Sequence, residues 1–89
     1  HKYEVAEDEH TRMELQVFLL RSRLHSLVVQ AELGSRRFSR LMRLYDHGAC
    51  DELTLVEAAI RHRLAGISRE QCQLDLMELE RQQRDADAK

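Results

Sequence analysis

Apolar residues recur along this chain with a helical period. Met13, Val17, Leu20, Leu24, Leu27 and Ala31 step alternately by four and three, which is the heptad stripe of a helix that packs along one side. Phe18, Leu19, Val28 and Val29 widen that stripe. The pattern predicts one long helix over residues 10–33, about 36 Å at 1.5 Å per residue. Gly34 reads as its stop and Ser35 as the next cap. A second helix is predicted over residues 35–45, with Phe38, Leu41, Met42 and Tyr45 inward. Asp46-His47-Gly48 breaks it. Thr54 with Glu57 forms a capping box for a third helix, whose apolar side is Val56, Ala59, Ile60 and Leu64. Gly66 ends that helix. Ser68 with Gln71 forms a second capping box, behind the staple residue Ile67, and opens a fourth helix to about residue 84, with Cys72, Leu76, Leu79 and Gln83 on one stripe. No alternating run or Asn-Gly turn suggests a strand. The expected fold is all-α: four helices, a long N-terminal one and a compact helix–loop–helix pair, as a single domain over residues 10–89. A flexible acidic lead-in occupies residues 1–9.

Composition supports a small helical unit and little else. The 89 residues are 43% hydrophobic and 34% charged, with three Gly and no Pro. Only Tyr3, Phe18, Phe38 and Tyr45 are aromatic, so the core must be aliphatic. No stretch is apolar enough to span a membrane. A chain this short buries a limited core, which favours a partner chain or self-association. Starting at His1 without Met, it reads as a piece of something longer. Two cysteines, Cys50 and Cys72, make no disulfide framework and fit a cytoplasmic setting.

Charge is distributed unevenly about a net −2. Arg21, Arg23, Arg36, Arg37, Arg40 and Arg43 face a single acid, Glu32, across residues 21–43, while Glu4, Glu7, Asp8 and Glu9 crowd the start. The asymmetry points to acidic partners, or to pairing of the basic middle with acidic ends inside the domain or a dimer.

The stretch from Phe38 to Leu64 resembles an EF-hand. Asp46 stands at the first loop position, Leu53 at the eighth and Glu57 at the twelfth, without a gap, behind the apolar residues of an entering helix. In a working hand the first Asp and last Glu supply carboxylate oxygens to calcium. Gly48 and Cys50 at the third and fifth positions cannot donate a side-chain oxygen, and Asp51 replaces the turn glycine. Asp85 and Asp87 would open a second, truncated loop. The resemblance implies a degenerate hand with Asp46 and Glu57 as its candidate metal ligands, and as an alternative function a metal-responsive switch. Residues 68–82 also look like the second helix of the small phycobilisome-degradation adaptors, and Leu53-Thr54-Leu55 like their start. The intervening helix is about one turn shorter here, and residues 1–50 have no counterpart.

Other chemistry is thin. His47, Cys50, His62 and Cys72 are the residue types of a zinc site, but only His47-x-x-Cys50 is compact. The Ala65-Gly66-Ile67 turn could belong to a helix-turn-helix, yet its second helix carries Glu70, Asp75, Glu78 and Glu80, which repel phosphate, so nucleic acid is not expected. Arg36-Arg37-Phe38-Ser39 fits a basophilic kinase site at Ser39. No nucleophile–base pair, Gly-rich loop or His-Glu metal motif supports catalysis, and no cofactor is expected. The reading is a non-enzymatic protein–protein interaction or oligomerisation module, with homodimerisation favoured. Val17, Leu20, Leu24, Leu27 and Val28 would form the contact. Arg36, Arg37, Arg40 and Arg43 would set orientation and on-rate. The apolar side of the first helix looks too broad for the chain's own remaining helices to cover.

Overall fold

A computed structural model describes the backbone of residues 2–88 and the side chains of residues 8–88. Two helices account for nearly all of it: α1, Lys2–Asp46, and α2, Glu52–Asp87. They run antiparallel as a hairpin with principal extents of 68 × 17 × 15 Å. The long dimension matches the roughly 67 Å expected of 45 helical residues. The architecture is all-α, but it holds two helices rather than four, and an extended hairpin replaces the compact helix–loop–helix pair. Residues 2–9 of the acidic lead-in form the first turns of α1.

Heptad continuity explains why the predicted breaks are bridged. The stripe Met13, Val17, Leu20, Leu24, Leu27, Ala31 continues in phase through Gly34 to Phe38 and Leu41. A helix interrupted at Gly34 would lose the alignment of its two halves on one neighbour. A mid-helix glycine costs only about 1 kcal/mol, less than that shared packing. The same holds in α2, where Leu55, Ala58, His62, Ala65, Arg69, Cys72, Leu76, Leu79 and Gln83 keep the alternation of three and four across Gly66. The box at Ser68 is therefore unused as a cap. Gln71 Nε2 instead donates to Asp75 Oδ1 at 3.0 Å on the helix surface. With Ala65 to Ile67 in mid-helix, the helix-turn-helix geometry has no turn.

The one true break is built from a cap on each side. Gly48 adopts φ +76°, the left-handed conformation that glycine tolerates. Ala49 N donates to Leu44 O at 2.8 Å and Gly48 N to Tyr45 O at 3.0 Å, the paired bonds of a Schellman motif. Asp51 then caps α2: its Oδ1 accepts from Thr54 N at 2.9 Å. The cap thus lies three residues before Thr54, the expected start. Asp51 is also the stronger choice, since its charge faces the positive end of the helix.

The seam between the helices holds what core there is. Val17, Ala31, Ala58, Cys72 and Leu76 are the buried apolar residues, and no large side chain is fully enclosed among the described residues. Cys72 Sγ approaches Leu20 O at 3.6 Å, and the Phe38 and His62 rings stack at 5.9 Å. Arg21 Nη2 reaches Glu80 Oε2 at 3.7 Å across the outer rim. The accessible surface is 7403 Å², against about 5,400 Å² for a compact monomer of this mass. A radius of gyration of 19.9 Å, against roughly 12 Å for a globular chain of this length, says the same.

Candidate interaction surface

Each helix carries two apolar stripes, and the hairpin uses one from each. Val17 is buried and Leu20, Leu24, Leu27 and Val28 are half-buried, all on the side of α1 that faces α2. The chain's own second helix thus covers most of the stripe expected to meet a partner. Phe18 and Leu19, read as a widening of that stripe, lie beside it and are 62% and 56% exposed, with Leu19 bordering a groove against Leu79 and Gln82 of α2. Leu15 and Val29 are exposed behind the seam, and exposed Leu33 borders a second groove against Ala58 and Ala65 of α2.

The outer face of α2 is the larger departure from the sequence reading. Leu53, Val56, Ile60, Leu64, Ile67 and Leu74 are all exposed, with Leu53 at 66%. Val56, Ile60 and Leu64 were expected inward, whereas Leu55, Ala58, His62 and Ala65 occupy that side. Both stripes of this helix have heptad spacing, and the outer one holds the bulkier residues. Hydrophobicity alone therefore selects the wrong face. The signal that separates them is phase, since only the inner set stays in step with the Cys72, Leu76, Leu79 stripe.

A helix face that points away from its partner lies on the far side of the hairpin. The two outer stripes therefore form opposite edges of a flat, two-helix layer, a distribution rarely left bare on a monomer.

The charged groups sort by position. Arg36, Arg37, Arg40 and Arg43 are exposed, and among the described residues none makes an ion pair. Phe38 is half-buried on the inner side, with Ser39 exposed beside it. Near the C-terminal end of α2, Arg81 bridges Glu78 at 2.6 Å and Asp85 at 2.7 Å. The Arg81 hydrogen bond, assisted by Gln82, holds the Glu78 carboxyl below its ordinary range, and the same pair raises the arginine. Thr54 lowers the Asp51 carboxyl in the same way.

The residues considered as metal ligands are spread over α1, the connection and α2. Asp46 ends α1 and Glu57 sits in α2, both exposed, and the residues from Glu52 onward are helical rather than looped. His47 Nδ1 donates to Arg43 O at 2.7 Å, Cys50 Sγ to Asp51 O at 3.4 Å, and Cys72 and His62 lie in the seam. Among the described residues no group of three or more His, Cys, Asp or Glu could hold an ion. No described helix is long and apolar enough to cross a membrane.

Comparison of the chain with protein-family models, with curated proteins and with solved structures returned no match.

Proposed function

We propose that the hairpin is a non-enzymatic protein–protein interaction module whose outer edges are covered by other helices. The observation that carries this reading is the pair of exposed, heptad-spaced apolar stripes on opposite edges of a thin layer. Apolar surface at about 25 cal/mol per Å² is a strong driving force when it lies in continuous strips that a helix can match. The arginines of residues 36–43 lie at one end of the α1 strip and would orient an acidic partner segment and speed its approach. The interaction surface is displaced from the seam residues Val17, Leu20, Leu24, Leu27 and Val28 to the faces behind them.

The test combines sedimentation over a wide concentration range with binding of an apolar-surface dye. The native chain should associate or bind dye, or do both. A variant with Phe18→Glu, Ile60→Glu and Leu74→Glu should lose both properties while keeping its circular dichroism, because all three side chains are exposed and none borders the groove between the helices. A native chain that stays monomeric and binds no dye would overturn the reading.

A further inference from the structure

An exposed stripe of α1, whose Leu19 and Leu33 also border the grooves beside α2, has an internal symmetry. Leu15, Leu19, Ser22, Ser26, Val29 and Leu33 step alternately by four and three. Reversed end for end about a point between Ser22 and Ser26, the series falls on itself: Leu15 meets Leu33, Leu19 meets Val29, and Ser22 meets Ser26. Small residues at the centre let two backbones approach, and branched aliphatic residues fill the space on either side. An isologous contact requires this kind of self-matching surface.

Charge supplies an independent observation. The same reversal sets Asp8 opposite Arg40, with Glu9 beside it along the basic stretch from Arg36 to Arg43. Inside one chain these groups cannot meet. They lie on a single straight helix, with Asp8 and Arg40 about 48 Å apart. Arg12 falls opposite Arg36, a like-charge pair in the same register, with Asp8 and Glu32 each one turn away to offset it.

We infer that two copies of this chain associate through this exposed stripe of α1, antiparallel, with a two-fold axis between Ser22 and Ser26. The inference rests on the interaction-module reading and names the occupant of one of its two edges. A contact between the α1 edge of one copy and the α2 edge of the next would leave free edges and propagate, whereas the two-fold contact closes. The roughly 2,000 Å² of surface in excess of a compact monomer exceeds the ~800 Å² per partner that a specific interface buries.

Sedimentation equilibrium of the whole chain reads the dimer constant. Leu19→Glu should weaken it by about a hundredfold or more, because each dimer loses two buried leucines. Ile60→Glu, on the opposite edge, should leave it unchanged. Asp8→Arg should weaken the dimer several-fold, and Asp8→Arg with Arg40→Asp should restore it. In a Cys50→Ser background, a Ser22→Cys chain mixed with a Ser26→Cys chain should form a disulfide-linked pair with oxidised glutathione far faster than either chain alone. A monomer at every concentration, a dimer that survives Leu19→Glu, or faster linkage of like with like would overturn the inference. A monomer that still binds dye would do so while leaving the broader reading intact, because the edges would then await a foreign helix.

Discussion

At the scale of single residues, two side chains carry measurable consequences. Asp51 holds the start of α2, and its hydrogen bond from Thr54 keeps its carboxyl below the ordinary 3.8. A depressed carboxylate stabilises the fold above its unfolded value and loses that contribution as pH falls through the folded one. Asp51→Asn keeps an oxygen acceptor but not the charge. The melting-temperature gap between the native chain and Asp51→Asn should therefore be present at neutral pH and close as the pH drops below 3.8. A gap that persists in strong acid would show that the charge plays no part. His62 is the reverse case. It stacks on Phe38 at a seam position, and its buried Nδ1 has no hydrogen-bond partner. Replacing a buried, unpaired polar atom with a leucine that suits the seam should raise stability by about 1 kcal/mol, read by urea or thermal melting. A destabilised His62→Leu chain would mean that the ring stack outweighs the missing bond.

At the scale of elements, the three glycines do different jobs despite their shared reputation as helix breakers. Gly34 and Gly66 lie within α1 and α2, and a Cβ built on either would meet nothing within 4 Å. Gly34→Ala and Gly66→Ala should each stabilise the hairpin by about 0.5–1 kcal/mol, raising its melting temperature by several degrees. Gly48 occupies the left-handed conformation at the end of α1, so Gly48→Ala should cost about 1 kcal/mol although space is open there too. Opposite signs at Gly34 and Gly48 distinguish a continuous helix from one that ends at residue 34. If Gly34→Ala destabilises, the two-helix description fails.

At the scale of the whole molecule, a long thin layer gains little from its own core. Among the described residues five apolar ones are buried, three of them on α2, while Leu53, Ile60, Leu64 and Leu74 of that helix are exposed. Such a hairpin gains stability from whatever covers its edges, by mass action. Its melting temperature should rise with protein concentration, and Phe18→Glu should flatten that dependence at little cost to the dilute chain. A melting temperature independent of concentration in the native chain would mean that its edges are self-sufficient.

Periodicity along the chain determined the helical class, the alignment of Met13 through Ala31 on one face, the stripe of Cys72, Leu76 and Leu79, and the break at Asp46-His47-Gly48. These are local properties: a repeat of three and four fixes a helix face, and a glycine behind a polar pair fixes a turn. How far each helix runs was decided by pairing. Gly34, Gly66 and the cap-like Ser68 carry the local marks of helix ends, and only the antiparallel neighbour, in step with both helices along their length, makes an uninterrupted path the better one. The same pairing chose which of two apolar stripes on α2 turned inward, taking the smaller residues Ala58, Ala65 and Cys72 because they let the helices close. The bulkier Leu53, Ile60 and Ile67 were left on the edge, where the sequence reading had not placed a surface.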